Sequence, residues 1–227
     1  MARIPRGLRG NGVAHVLSRG NNRATVFQSD QEYEDFIALL DGARRQHAVE
    51  LFAFCLMPNH FHVVVRYEDP AELSSLMQWW LTAHVRRHHQ RHGTSGRGHI
   101  WQDRFKSFPV QEDNHLLTLL RYVLANPVRA GLCQSADAWR WSSLWFPSML
   151  SPWPVEPPVP LSEWLACPGD SEDERSIRNS IRRGAPFGDE YWRVTAARAG
   201  GLEASLRPRG RPRTAAATDE RLQLDLY

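Results

Sequence analysis

Apolar and polar positions change their spacing along this chain, and each change marks an element. From Gly12 to Arg19, Val13, His15 and Leu17 alternate with Ala14, Val16 and Ser18, the period-two pattern of a strand. Ser18-Arg19-Gly20-Asn21-Asn22-Arg23 closes that strand as a polar turn. Ser29 or Asp30 then caps a helix whose apolar face is Tyr33, Phe36, Ile37, Leu39, Leu40 and Ala43, ending near Gln46. Glu50 to Arg66 reads as two strands rich in Phe, Leu and Val, broken by Met57-Pro58-Asn59. Pro70 and Ala71 open a second helix with Leu73, Leu76, Met77, Trp80 and Leu81 at helical spacing. After a flexible loop over Gly93–Gly98, residues His99 to Val110 alternate polar or basic side chains with Trp, Phe and Val. That alternation predicts a strand with Arg104 and Lys106 on one face and Phe105 on the other. Asn114 caps a third helix through Leu116, Leu117, Leu119, Leu120, Val123 and Leu124. The order strand, helix, strand, strand, helix, strand predicts an α+β fold, a ferredoxin-like or RRM-like antiparallel sheet with helices on one face.

Trp139, Trp141 and Trp145 supply packing that closes this unit, and from Ser151 the composition shifts. The expected division is a folded domain over 1–150, a Pro-rich linker over 151–160, and a basic carboxy-terminal extension over 161–227. Short helices are predicted over Leu161–Leu165, Glu172–Arg183 and Gly188–Arg198. Between Arg175 and Arg213, ten arginines stand against Asp189, Glu190 and Glu203, an excess of seven positive charges. The whole chain carries a net charge of +3, and its basic side chains are arginines except Lys106. Arginine pairs bidentately with phosphate and stacks on bases, so the bias suits nucleic-acid work. Arg207-Pro208-Arg209-Gly210-Arg211-Pro212-Arg213 resembles an AT-hook, whose arginines, here Arg209 and Arg211, enter the narrow minor groove of A·T-rich duplex. Ala83 to His92, crowded with His84, Arg86, Arg87, His88, His89, Arg91 and His92, reads either as a track for a nucleic-acid backbone or as a solvated helix face. Three cysteines, odd in number and outside any C-x-x-C pattern, argue for a reducing compartment and against disulfides or a zinc knuckle. With neither a leader-like start nor an apolar run of membrane length, the expected location is cytoplasmic, with no membrane partner, and the arginine bias makes nucleoid association the expectation within it.

The chemistry concentrates on four residues. Side chains alternate faces along a strand, so His60 and His62 point to one side and Phe61 to the other. Two imidazoles side by side make half a metal site, here on a rigid element. Tyr122 and Asn126 are four residues apart and share one helical face, with Pro127 placing Asn126 at or near the helix end. Tyr122 alone, amid Leu119, Leu120, Val123 and Leu124, reads as core. Beside a metal-held phosphate it reads instead as a nucleophile that forms a phosphotyrosine.

His60-Phe61-His62 resembles the HUH motif (His, hydrophobic, His). Its surroundings C-L-M-P-N-H-F-H, together with S-R-G-N-N-R, G-H-I-W-Q-D-R-F-K-S and R-Y-V-L-A-N-P-V-R-A-G-L, are similar to the REP-associated tyrosine transposases, a branch of the single-tyrosine HUH (IS200-like) family. The resemblance covers roughly residues 10 to 147. It implies a transposase-type endonuclease and strand transferase that cuts and rejoins single-stranded DNA at imperfect palindromic hairpins through a 5′-phosphotyrosine. It makes Tyr122 the nucleophile, His60 and His62 the metal pair, Asn126 a third ligand, and Mg2+ or Mn2+ the ion. It also places Arg19, Asn21, Asn22 and Arg23 of the turn, and Arg104 and Lys106 of the R-F-K strand, along the single-strand path. The working unit is a monomer or a homodimer.

Three rivals make distinct predictions. A recognition protein would bind hairpins without cutting. An RRM-type RNA binder would need strand aromatics of the K/R-G-F/Y type, which are missing, and gives the histidine pair no role. A metal nuclease acting through water would cut without a protein adduct and survive loss of Tyr122.

Overall fold

The computed structural model describes residues 7–96, 98–167 and 171–207. Its first unit runs β1 (Gly12–Arg19), α1 (Asp30–Arg44), β2 (Val49–Met57), β3 (His60–Tyr67), α2 (Pro70–His92) and β4 (Lys106–Val110). The strands pair antiparallel in the order β2-β3-β1-β4, the ferredoxin-like arrangement that the period changes predict. Local chemistry sets the helix starts. Ser29 and Glu32 form a reciprocal capping box at α1, while Asp69 accepts from Ala71 N at α2, whose first residue is Pro70. Gly93, at φ 60, ends α2 in the left-handed region.

β4 is shorter than the alternation predicts. Residues 99–105 lie outside the ladder, and Asp103 turns the chain at φ 55, so Arg104 and Phe105 belong to a connecting segment. Trp101 and Phe105 of that segment are buried all the same, Trp101 bridging to Gly20 and joining Phe105 in the core. Buried anchors in a loop thus mimic a strand's periodicity.

α1 and α2 cover one face of the sheet. Phe36, Leu40, Leu73 and Trp80 pack there on Phe54, Leu56, Phe61 and Val63. Trp80 is fully buried, stacks on Phe36 at 4.3 Å and donates its indole N–H to Phe36 O at 3.0 Å. Trp80→Ala is expected to cost about 3–5 kcal/mol, read as a lower urea midpoint, because it combines lost burial with a cavity. The histidine- and arginine-rich half of α2 is partly packed and partly solvated, with Arg86, Arg87 and Arg91 exposed. His84 is buried, Arg87 and Arg91 pair with Asp35, and His92 reaches Glu32, so much of this polar stretch packs against α1.

α3 (Asn114–Leu124) covers the opposite face, with Leu116, Leu119, Leu120 and Val123 in one cluster with Phe52, Cys55, Val64 and Phe108. A bulge between Leu51 and Ala53 puts Phe52 and Ala53 on this same face before alternation resumes. The cap of α3 is Asp113, one residue before the expected Asn114, accepting from His115 N. The helix stops at Leu124, and Pro127 stands in the first turn of a new short helix, α4 (Asn126–Arg129). Trp141 is buried as expected, but Trp145 is 57% exposed, its indole N–H donating to Asp137 O.

The later segments are α5 (Leu161–Ala166), α6 (Ser171–Arg183), α7 (Glu190–Gly200) and α8 (Glu203–Leu206). Trp164, Ile177 and Phe187 join the α3-side core, and Val110 of β4 bridges to Phe187. Arg209 and Arg211 lie outside the described residues. Among the described residues, no helix is long and apolar enough to cross a membrane.

Candidate active site

The sheet register assembles the site. On β3, Val64 packs in the α3-side core whereas Phe61, Val63 and Val65 pack beneath α1 and α2. Alternation therefore places His60 and His62 on the α3 face, their rings 5.1 Å apart. His60 Nδ1 lies 2.7 Å from Asn59 Oδ1, and Asn59 Nδ2 donates to Arg23 O at 3.0 Å. The amide nitrogen being committed, the oxygen faces His60; Nδ1 must carry the proton, and Nε2 keeps its lone pair.

His62 is fastened from behind by a residue the sequence patterns left without a role. His15 on β1 lies fully buried, its ring stacked on His62 at 5.0 Å and its Nε2 2.9 Å from His62 Nδ1. In the tautomer where His62 Nδ1 donates to His15, His62 Nε2 is also a free lone pair. The pair thus presents two ring-nitrogen lone pairs, a donor set that fits a divalent ion. Burial, with Arg19 adding, lowers His60 to about 4. Burial, then His15, His60, Arg129 and Arg19, holds His62 well below the usual imidazole range. Both rings are neutral at physiological pH, as ligation requires.

α3 brings Tyr122 over this pair. Its ring stands edge-on to His62 with centroids 6.1 Å apart, and the residue is 9% exposed. Arg129, seven residues on, lies with its guanidinium 4.0 Å above the tyrosine ring and donates to Tyr122 O. Glu174 of α6 stands 3.6 Å from Arg129 Nε. Tyr122, Arg129, Glu174, Thr118 and Ile177 line one cavity of about 280 Å³, open to solvent. Arg129 also went unassigned in the sequence, because the break between α3 and α4 keeps its spacing from Tyr122 from fixing a shared face. Asn126 opens α4 one turn beyond the tyrosine and is half-buried.

Basic residues rim this face. Arg19 pairs in register with His60, and Lys106 and His62 both sit opposite Leu17, so both cations belong to the histidine face. The Gly20–Arg23 turn is anchored next to His60 by Gly20 N to Asn59 O at 2.7 Å and by Asn21 N to Ile100 O at 2.8 Å. A Cβ on Gly20 would fall 2.4 Å from Ala24 O, which excludes other residues. Asn22 and Arg23 occupy the left-handed region at φ 52 and 60, and the side chains of Asn21, Asn22 and Arg23 are exposed. Arg104 is exposed in the 101–105 segment rather than on the strand face.

A ferredoxin-like sheet with a His-hydrophobic-His strand facing a helical tyrosine defines the HUH class. Residues 10–126 match the family model described as "Transposase IS200 like", and the chain belongs to that family. A REP-associated tyrosine transposase of Haemophilus influenzae is 26% identical over 105 residues, which cover 41% of this chain. The match spans 58% of that relative's length. A solved structure of a REP-associated tyrosine transposase bound to a REP hairpin superposes with a TM-score of 0.51 at 18% identity, covering 69% of this chain and 92% of that one. That likeness establishes the shared fold.

Proposed function

We propose that this protein cuts and rejoins single-stranded DNA at palindromic hairpins through a covalent bond to Tyr122, in a metal-dependent reaction. The observation that carries the reading is the approach of Tyr122 to His62, which unites a nucleophile and a ligand pair from a helix and a strand distant in sequence. His60 Nε2, His62 Nε2 and the Asn126 amide oxygen would hold Mg2+ or Mn2+. When bound, the ion supplies Lewis-acid polarisation of the scissile phosphate.

The chain's own residues do the rest. Tyr122 Oη attacks phosphorus and displaces the 3′-oxygen, giving a 5′-phosphotyrosine and a free 3′-hydroxyl. One phosphodiester P–O bond replaces another, so a second 3′-hydroxyl can reverse the step without ATP. Arg129, over the tyrosine face, favours negative charge on the phenolic oxygen as its proton leaves. His15 orients His62. Arg19, Asn21, Asn22, Arg23 and Lys106, with Arg104 beyond the strand end, grip the single strand by phosphate contacts and base hydrogen bonds. Residues 1–150 carry the chemistry; the extension over 161–227 adds contacts to A·T-rich duplex through Arg209 and Arg211.

The test uses end-labelled single-stranded palindromic oligonucleotides on a denaturing gel. With manganese, label is expected to stay on the protein; a chelator should remove that band and re-added manganese restore it. His60→Ala with His62→Ala should lose it at every metal concentration. Hairpin binding with no cleavage under any metal would sink the enzyme reading in favour of a recognition protein.

A further inference from the structure

On the side of the sheet away from Tyr122, α2 carries His84, His88 and His92 one helical turn apart. His84 is committed, since its Nδ1 accepts from Trp101 Nε1 at 3.2 Å. The other two converge on Glu32 in the first turn of α1. One donor atom from each of Glu32, His88 and His92 lies within 4.8 Å of the others. His92 Nε2 stands 2.5 Å from Glu32 Oε1, and the two imidazole centroids are 4.3 Å apart.

Three features separate this cluster from an ordinary surface ion pair. The Glu32 carboxylate is only 4% exposed. Its Oε2 is already held by the amides of Gln28 and Ser29, at 2.5 and 3.2 Å, which aims Oε1 at the histidines in the way outer hydrogen bonds aim a metal-ligating carboxylate. His88 Nδ1 is buried with no hydrogen-bond partner, an omission that a protein–protein network leaves uncorrected. Nearby cations do not compete, because Arg87 and Arg91 are paired with Asp35 at 3.1 and 2.5 Å. Burial alone would raise the Glu32 carboxyl, yet the Gln28 N–H and His92 keep it below its ordinary value.

We propose that Glu32, His88 and His92 form a second metal site, selective for a zinc-type ion over magnesium, that clamps the start of α1 to the end of α2. Two imidazoles and one carboxylate make a donor set of borderline softness that zinc prefers, with water completing a tetrahedron. Donors on one tetrahedral zinc stand about 3.3 Å apart, so the Glu32–His92 contact opens by less than about 1 Å. The clamp has a structural consequence. From His92 the chain runs through residues 93–102 to Ile100 and Gln102, which hydrogen-bond Asn21 N and Arg19 O in the turn beside His60. Fixing the end of α2 therefore fixes one end of the link to that turn.

The full chain, stripped by a chelator, is titrated with zinc and with magnesium, and bound metal is counted after dialysis. In a His60→Ala with His62→Ala background, which removes the other metal site, zinc at 100-fold above its Kd is expected to raise Tm by roughly 5–10 °C, with magnesium giving no such rise. His88→Asn with His92→Asn should bind one zinc fewer than wild type while still forming the DNA adduct, and in that background should lose the rise. Glu32→Gln, which keeps an oxygen for the capping amides, should weaken zinc binding tenfold or more while leaving the metal-free Tm near wild type. Cobalt loaded in place of zinc should show a tetrahedral absorption band in wild type and not in Glu32→Gln. Equal zinc stoichiometry and equal Tm rise in wild type and both variants would overturn the site and leave a plain Glu32–His92 ion pair.

Discussion

Tyr122→Phe is expected to abolish covalent capture of labelled single-stranded DNA, with turnover falling on the order of 10³-fold or more. The substitution removes one oxygen and little else. The ring keeps its edge contact with His62 at 6.1 Å and its place under the Arg129 guanidinium at 4.0 Å, so α3 still docks on the sheet. Hairpin binding should change by less than about threefold, because the residues proposed to grip DNA lie on the rim and in the Gly20–Arg23 turn. The informative outcome is the contrast between adduct and cleavage. If Tyr122→Phe still cuts, releasing both products free of protein, water is the nucleophile and the tyrosine is a wall of the cavity. Arg129→Gln supports the same test in a graded form. It should slow adduct formation about 10–100-fold while preserving the tyrosine.

Acid is expected to unfold this protein well above the pH at which its carboxylates titrate. Burial holds both His15 and His84 at about 3 in the folded chain, against an ordinary 6.5 once unfolded. Between those values the unfolded state binds a proton on each imidazole and the folded state does not. Stability is therefore complete above about pH 6.5 and falls as pH drops towards 3. Each group contributes a slope of about 1.4 kcal/mol per pH unit, so the two together approach 3 kcal/mol per unit, and His60 and His62 add in the same direction. Urea midpoints measured from pH 7.5 to 4.5 should fall steeply below pH 6. His84→Phe, on the side of the sheet away from Tyr122, should flatten the slope by about one proton. A level profile across this range would mean that these rings are charged or hydrated in the folded protein. Manganese bound at His60 and His62 should lessen the fall, since ligation holds those rings neutral.

How much of this was open to a reader of the chain follows from the range of the forces involved. Strand and helix periods are properties of a few consecutive residues. The strand–helix order of the ferredoxin-like unit, the shared face of His60 and His62, and the turn spacing of Tyr122 and Asn126 could all be stated from positions alone. The same locality misled over residues 99–105, where Trp101 and Phe105 alternate like strand residues but anchor a loop that turns at Asp103. What the chain does not spell out is adjacency between segments. His15 lies behind His62 because β1 and β3 pair in one register, Leu17 opposite His62. Arg129 covers Tyr122 because α3 ends at Leu124 and the chain resumes as α4, whose last residue is Arg129. Glu32 meets His88 and His92 because α1 and α2 pack side by side on the sheet. By itself the sequence determined the elements, the faces of its strands, and the motifs that mark a single-tyrosine HUH transposase. Only the tertiary structure decided which buried imidazoles touch, which cation rides on the tyrosine, and that three polar residues from two helices converge on one point. Those contacts depend on register and on core packing between segments far apart in the chain, and neither leaves a periodic trace.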